Sequence, residues 1–192
     1  MTPPPQVPPR PAPPPRAGNS KLAAPVVAPK PKVKVGAWKT IMVVDPDTDN
    51  RKRVIGLLRE AALRAGSSDT ATPPPPDART LAVHEADNGS AAWALIEVVK
   101  PDLVVAEILL EGLSGMQLLR RLRDRYGGEA PATMFVTSMS NEVDRYWALR
   151  NGATAYVIKP FDDEFLRTRA TKFFEDRVDG GLDLDSNWIA DP

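Results

Sequence analysis

Between residues 40 and 176 the chain alternates short, continuously apolar segments with longer segments whose apolar residues recur every three or four positions. Continuous apolar segments of about four to eight residues are typical of strands that are buried on both faces of a parallel sheet. They predict five strands, at residues 40–44, 80–86, 101–107, 132–137 and 154–158.

The segments that follow these strands predict five helices, and the spacing of their apolar residues indicates which side faces the core. These residues are Val54, Leu57, Leu58 and Ala61 in the first helix, Ala91, Leu95 and Val98 in the second, Met116, Leu119 and Leu122 in the third, and Phe165, Leu166, Ala170 and Phe173 in the last. Strands that alternate with helices predict an α/β domain with helices on both faces of a five-stranded parallel sheet.

Proline separates the part of the chain that folds from the rest, because twelve of the 21 prolines lie between Pro3 and Pro31. Residues 1–36 bury too little apolar surface to offset their ordering entropy, which predicts a disordered, partly polyproline-II arm. We therefore predict a basic Pro-rich arm, a folded domain, a Pro-rich loop insertion within that domain and an acidic flexible tail. Their bounds are 1–36, 37–176, 66–79 and 177–192.

The arm contains the segment RPAPPPR, at residues 10–16, which is a PxxP pattern flanked by arginine. Such segments fit grooves that are lined by aromatic side chains. In a chain this rich in proline the pattern also arises from composition alone, and a passive tether is the preferred interpretation. The formal net charge is +0, yet residues 1–40 hold seven basic residues and no acidic one, so the remaining chain is acidic.

The residue types that are missing exclude several classes of chemistry. Cysteine is absent and His84 is the only histidine, which excludes disulfides, thiol catalysis and multi-histidine metal sites. No apolar run approaches the ~20 residues that cross a bilayer, and we expect a cytoplasmic protein. No helix-turn-helix or other nucleic-acid module is recognisable, so we expect no nucleic-acid partner.

Polar residues stand at the carboxyl ends of the predicted strands, where sites form in open parallel sheets. Asp45 and Asp47 follow the first strand, Glu107 ends the third, Thr137 and Ser138 end the fourth, and Lys159 ends the fifth. Two kinds of acid, a hydroxyl and an ammonium are therefore expected in one pocket. A Gly-rich phosphate loop after the first strand is lacking, which disfavours a nucleotide site.

Several motifs, in this order and spacing, resemble the response-regulator receiver family of the CheY-like kind over roughly residues 39–176. They are IMVVD, NGSAAWALI, PDLVVAEILLEGLSGMQLLRRLR, MFVTS and NGATAYVIKPF. The resemblance implies a doubly wound, flavodoxin-like sheet with strand order 2-1-3-4-5. It also implies two-component signalling through a phosphoryl group received from a histidine kinase, and no enzyme activity of the ordinary kind.

The resemblance assigns roles to matching positions. Asp45 matches the first residue of an acidic pair that holds magnesium, Thr137 and Lys159 match the groups that bind the phosphoryl oxygens, and Tyr156 matches a switch aromatic. Three positions depart from the family pattern. Pro46 replaces the second acid of the pair, Glu107 replaces the phosphoacceptor aspartate, and Glu111 replaces a loop proline.

These departures change the expected chemistry. Pro46 offers no ligand, and Asp47 is better suited to starting the first helix, so magnesium binding through Asp45 and Glu107 should be weak or absent. Glu107 is one methylene longer than aspartate, and a displacement of ~1 Å costs phosphoryl transfer on the order of a hundredfold. We therefore predict a Glu107–Lys159 ion pair, with Thr137 as a hydrogen-bond donor, in place of the phosphoryl contacts. Imitation of the active state and an inert structural pair both remain open.

The preferred hypothesis is a pseudo-receiver, a phosphorylation-independent protein-interaction module in bacterial signalling. The alternatives are a phosphorelay receiver that still accepts a phosphoryl group and a scaffold that acts mainly through its Pro-rich arm. No cofactor is expected. The partner, a histidine kinase or another signalling protein, is expected at the face formed by helix four, strand five and helix five, where Tyr146 and Trp147 are adjacent.

Overall fold

The computed structural model describes residues 40–65 and 81–175. The predicted arm at 1–36, the loop insertion at 66–79 and the tail at 177–192 lie outside these residues. The strands are β1 (Thr40–Val44), β2 (Ala82–Ala86), β3 (Leu103–Ala106), β4 (Ala132–Thr137) and β5 (Ala155–Ile158). The helices are α1 (Thr48–Ala65), α2 (Gly89–Val99), α3 (Gly115–Tyr126), α4 (Glu142–Arg150) and α5 (Asp163–Glu175), and a short 3-10 turn (Gly127–Glu129) follows α3.

The five described strands form one parallel sheet with the order β2-β1-β3-β4-β5, as predicted. The register brings Val44 of β1 opposite both Ala86 of β2 and Ala106 of β3, so these three strands end at the same level. The strand order reverses between β1 and β3, and a crevice therefore opens beyond their carboxyl ends.

Two hydrophobic cores lie on opposite faces of the sheet because successive strand side chains point in opposite directions. Ile41 and Val43 face the core under α1 and α5. Met42 and Val44 face the core under α2, α3 and α4. Burial of both strand faces explains why β1, β3 and β4 are almost continuously apolar in sequence, whereas the edge strand β2 is only partly buried and contains His84 and Glu85.

The inner faces predicted for α1, α3 and α5 are largely confirmed. In α1 all four predicted residues are buried. In α3 Leu119 and Leu122 are buried, whereas Met116 is only partly buried and Leu118, which was not predicted, is fully covered. In α5 the buried residues include Leu166 and Ala170, with Phe165 at the margin of the core; the side chain of Phe173 lies outside the described residues.

The inner face predicted for α2 is wrong at two of its three residues, because only Ala91 packs, partly buried, against the core. Leu95 and Val98 are 37% and 81% exposed, and the helix instead buries Ala92 and Ile96. The first residue of α2, Gly89, lies close to the backbone of the loop before α3, since a Cβ atom on it would lie 1.7 Å from the carbonyl oxygen of Leu113. Apolar spacing alone does not reveal such a close backbone approach.

Candidate functional site

The carboxyl ends of four neighbouring strands bring together an acid, a second acid, a hydroxyl and an ammonium. Asp45 follows β1, Glu107 follows β3, Thr137 ends β4 and Lys159 follows β5. Asp45, Glu107 and Thr137 are buried, and Lys159 is half-buried. Buried charges are stable only when they are paired and hydrogen-bonded, so the contacts of these side chains decide what the site can do.

The Oε1 atom of Glu107 accepts three hydrogen bonds. The Thr137 hydroxyl donates one of them. The backbone N–H groups of Ile108 and Leu109 donate the other two, at 2.7 and 3.2 Å. The carboxylate therefore curls back over the start of the loop that follows its own strand.

The Oε2 atom of Glu107 accepts from the Ser138 backbone N–H at 3.1 Å and from the Lys159 ammonium at 2.9 Å. Both oxygens of the carboxylate are thus bound by donors that come from the ends of β3, β4 and β5. Burial by itself would raise the pKa of Glu107, but the hydrogen bonds from Lys159 and Thr137 outweigh it and lower that pKa.

Lys159 bridges two carboxylates, because its Nζ atom also lies 2.6 Å from Oδ2 of Asp45. Burial would lower the pKa of Lys159, but its hydrogen bonds to Asp45 and Glu107 raise that pKa instead. The contact between Lys159 and Glu107 was expected from the sequence. The contact with Asp45 was not.

Both carboxylate oxygens of Asp45 already accept hydrogen bonds. Oδ1 accepts from the backbone N–H of Asp47 at 2.9 Å, and Oδ2 accepts from Asn50 Nδ2 at 2.5 Å as well as from Lys159. The Arg51 guanidinium donates to the Asp45 backbone carbonyl at 2.5 Å. The sequence did not predict the role of Asn50, although its position in the first turn of a helix, close to an acid at a strand end, is a recognisable signal.

Asp47 lies at the start of α1 and is exposed. Its Oδ1 atom accepts from the backbone N–H groups of Asp49 and Asn50, at 2.8 and 3.0 Å, which is the arrangement of a helix cap. The hydrogen bonds from Asn50 and Asp49 lower the pKa of Asp47. The structure thus shows Asp47 in contact with the helix start and gives it no contact with Glu107.

The residues present do not fit the magnesium ion that the family resemblance implies. Magnesium needs oxygen ligands in near-octahedral geometry. Here the oxygens of Asp45 and Glu107 are bound by N–H and O–H donors, an ammonium lies between them, and Pro46 occupies the position of the second acid. Within residues 40–65 and 81–175 no group of three or more acidic or histidine side chains is placed to hold a metal.

Gly115 allows the backbone of α3 to approach the residue that carries the carboxylate. A Cβ atom there would lie 2.5 Å from the carbonyl oxygen of Glu107 and 2.9 Å from the Cα atom of Ile108. The Gly115 N–H donates to the Ile108 carbonyl at 2.9 Å. The loop between these residues is therefore held tightly, and Glu111 within it points to solvent.

Tyr156 is buried on β5, and its ring packs edge-on against Phe135 with the centroids 6.1 Å apart. Its hydroxyl donates to the Met139 carbonyl at 2.9 Å. Burial, with smaller contributions from neighbouring acids, raises the pKa of Tyr156 to about 12. Met139 follows Thr137 and Ser138, which donate hydrogen bonds to Glu107, so one short segment at the end of β4 connects the carboxylate to the aromatic.

Tyr146 and Trp147 lie on the outer side of α4 and are 55% and 50% exposed. Their rings meet edge to face, with centroids 5.6 Å apart.

His84 lies half-buried on β2, away from the strand ends that form the site. The backbone N–H groups of residues 108, 109 and 138 also escaped prediction, because any residue type except proline supplies one.

The fold and the site together define a class: doubly wound α/β domains with an acid, hydroxyl and lysine cluster at the carboxyl edge of the sheet. The family model described as the response regulator receiver domain matches residues 77–171. Protein PilH of Pseudomonas aeruginosa is 38% identical over 84 residues, which cover 44% of this chain and 69% of PilH. An uncharacterized 14.6 kDa protein of Leptolyngbya boryana is 31% identical over 126 residues, covering 66% of this chain and 82% of that protein. The chain belongs to the response regulator receiver domain family.

Solved structures show the same fold. The chemotaxis response regulator CheY4 of Vibrio cholerae superposes with a TM-score of 0.55 at 17% identity, covering 70% of this chain and 98% of CheY4. The receiver domain of DrrB, in its BeF3-activated form, gives a TM-score of 0.55 at 23% identity, covering 73% and 99%.

Membership of this family makes the domain a module of two-component signalling rather than a classical enzyme, with signalling proteins as partners. None of the described helices is long and apolar enough to cross a membrane.

Proposed function

We propose that this domain is a pseudo-receiver, in which the carboxylate of Glu107 replaces the phosphoryl group. The domain then works as a phosphorylation-independent protein-interaction module in bacterial signal transduction. One observation carries the proposal: five donors converge on Glu107, namely Thr137, Lys159 and the N–H groups of residues 108, 109 and 138. The family resemblance assigns the phosphoryl oxygens to the hydroxyl and the lysine of that set.

The charge balance of the site supports this proposal. Asp45 and Glu107 supply two negative charges and Lys159 supplies one positive charge, so the cluster carries one net negative charge. An acyl phosphate on Glu107 would replace one charge by about −1.5 to −2. Without a metal ion the cluster would then hold a net charge of about −1.5 to −2 in a partly buried place, which is unfavourable.

The geometry of Glu107 argues against its use as a nucleophile. An attacking oxygen must be free and in line with the phosphoryl group, and catalysis of this transfer consists mainly of positioning and charge stabilisation. Both Glu107 oxygens already accept hydrogen bonds from buried or partly buried donors. Freeing either oxygen would leave such donors unsatisfied, which costs about 1–3 kcal/mol for each.

The same contacts connect Glu107 to the surface where a partner is expected. Glu107 holds Thr137 and Ser138, and two residues later the Met139 carbonyl accepts from Tyr156. We infer that this chain of contacts keeps the loop before α4 in one arrangement without phosphorylation. The face made by α4, β5 and α5, with Tyr146 and Trp147 exposed, is then held in a form that a signalling partner such as a histidine kinase binds without phosphorylation.

The test is an amide NMR titration of the full chain with magnesium and beryllofluoride. We expect no shifts at Asp45, Glu107 and Lys159. The matched variant combines Glu107→Asp with Pro46→Asp, which shortens the acceptor and restores the second acid. We expect this variant to respond at the same three amides. A response of the natural chain like that of the variant would overturn the proposal and favour the phosphorelay alternative.

A further inference from the structure

Helix α4 exposes an unusual amount of apolar surface. Val143, Tyr146 and Trp147 are 58%, 55% and 50% exposed, and they lie three and four residues apart on one side of the helix. Ala148, on the opposite side, is completely buried. Large exposed apolar patches on folded domains mark interaction surfaces, so we expect this outer face of α4 to bind another segment or molecule.

The shape of the patch favours a particular kind of ligand. The rings of Tyr146 and Trp147 stand at 74° to each other. Arg150 supports the tyrosine, with its guanidinium 5.7 Å from the ring centroid and its Nη1 atom 3.0 Å from the hydroxyl. Two supported, exposed rings form the type of surface on which proline ridges pack, and a polyproline-II segment loses little entropy when it binds.

The charge at one end of the patch favours a basic ligand. Glu142 precedes the aromatic pair by one helical turn, and its side chain is 79% exposed. Arg145 pairs with it at 3.4 Å but is itself only 14% exposed, so the accessible charge at this end of the helix is mainly the carboxylate. A segment with prolines and a flanking arginine would match both the rings and this carboxylate.

We propose that residues 10–16 of the same chain, RPAPPPR, bind the outer face of α4, with prolines against Tyr146 and Trp147 and an arginine beside Glu142. The segment combines four prolines with arginine at both ends, and residues 1–39 hold seven basic residues and no acid. The proposal rests on the proposed role of α4 as an interaction surface. It does not depend on whether Glu107 accepts phosphate. The arm would compete with partners for this surface.

The linking segment is long enough for this contact within one molecule. Arg16 precedes Thr40, the first residue of β1, by 24 residues. At about 3.1 Å per residue in polyproline II, this length reaches roughly 70 Å. β1 and β5 are three strands apart, which is about 14 Å across the sheet, and a helix layer lies about 10 Å above it.

The tail is the competing occupant within the chain, since it contains Trp188. Residues 176–192 hold five aspartates and one arginine, so Glu142 would repel them. The arm is therefore the better match to this end of α4. A second copy of the chain and a separate protein are the other occupants that an experiment must distinguish.

Absence of cysteine makes a direct test possible in the full chain. A nitroxide label on Ala12→Cys would broaden the amide signals of any residues that the arm approaches. We expect selective loss of amide intensity at Val143, Tyr146 and Trp147. The loss should disappear in the double variant Tyr146→Ala, Trp147→Ala, and should persist in the control Val98→Ala, which removes an 81% exposed apolar side chain from α2.

Three results would overturn the proposal. One is intensity loss that is uniform or that persists in the double variant. Another is selective loss only when labelled and isotope-enriched chains are mixed, which would assign the arm to a second copy. The third is selective loss at α4 from a label on Ser186→Cys instead of Ala12→Cys, which would assign the tail. None of these results bears on the beryllofluoride titration, because that experiment reports on Asp45, Glu107 and Lys159.

Discussion

The ammonium of Lys159 lies 2.9 Å from Oε2 of Glu107, and this contact joins the end of β5 to the end of β3. The same ammonium reaches Asp45 at the end of β1. Each carboxylate therefore depends on a single positive charge, and both are almost completely buried. Loss of that charge would leave two acids facing each other in a place with little access to water.

Replacement of Lys159 by methionine should destabilise the domain by about 3 kcal/mol, because it leaves two buried carboxylates without their shared cation. Urea unfolding, followed by circular dichroism, measures the change in the free energy of unfolding. The control is Lys52→Met on the exposed surface of α1, which should change stability by less than about 0.5 kcal/mol. Equal stability of the two variants would show that the ion pairs do not support the fold.

Stability should fall at acidic pH because the pKa of Glu107 is lowered in the folded state. The folded carboxylate holds its proton less strongly than the unfolded one, whose pKa is near 4.5. The contribution of Glu107 is therefore complete above pH 4.5 and is lost as the pH falls through the lower, folded-state pKa. Unfolding measured over an acidic pH series should show this loss, and the variant Glu107→Gln should lack it.

Stability should also fall at alkaline pH, because the pKa of Lys159 is raised in the folded state. Its pKa is raised above the ordinary value of 10.5. The stabilisation is complete below pH 10.5 and is lost as the pH rises through the folded-state pKa. In the variant Lys159→Met this alkaline component should be missing from the pH series. If the loss of stability at alkaline pH were the same in the variant, groups other than Lys159 would cause it.

Replacement of Tyr156 by phenylalanine should cost about 1–2 kcal/mol, because the Met139 carbonyl loses its hydrogen bond. Removal of the hydroxyl should also shift the amide signals of residues 138–142, since that loop would lose its contact with β5. In an alkaline ultraviolet titration the component with a midpoint near pH 12 should disappear. Unchanged loop signals would separate Tyr156 from the Glu107 cluster and weaken the proposed connection to α4.

Two glycine substitutions should have opposite effects. Gly115→Ala places a Cβ atom 2.5 Å from the Glu107 carbonyl oxygen and 3.0 Å from Phe135, so a loss of about 1–3 kcal/mol is expected. Gly56→Ala lies on the exposed side of α1, where the added Cβ meets no atom within 4 Å apart from its chain neighbours and the backbone of its own helix, so a gain of about 0.5–1 kcal/mol is expected. Thermal unfolding of both variants measures the difference, and a tolerated Gly115→Ala would contradict the tight approach of α3 to the site.

Much of the fold was predictable from the pattern of apolar residues. Strands β1 and β4 begin and end at the predicted residues, because strands buried on both faces leave an unbroken apolar signal. The orientation of α2 was not predictable in the same way. Leu95 and Val98 have the right spacing for a core face, yet both are exposed, and the helix instead buries Ala92 and Ile96.

For the candidate site, the sequence by itself determined which polar side chains stand at the strand ends and therefore which of them converge. Asp45, Glu107, Thr137 and Lys159 could be named in advance because parallel strands end at one edge of the sheet. Only the tertiary structure decided how their atoms pair. Lys159 binds both carboxylates, and Asn50 donates a hydrogen bond to Asp45. Backbone N–H groups donate further hydrogen bonds to Glu107. The physical reason is that a hydrogen bond forms or fails over differences of a few tenths of an ångström between donor and acceptor, which the sequence does not specify. Many of the donors are also backbone N–H groups, which every non-proline residue carries, so no residue type marks them in advance.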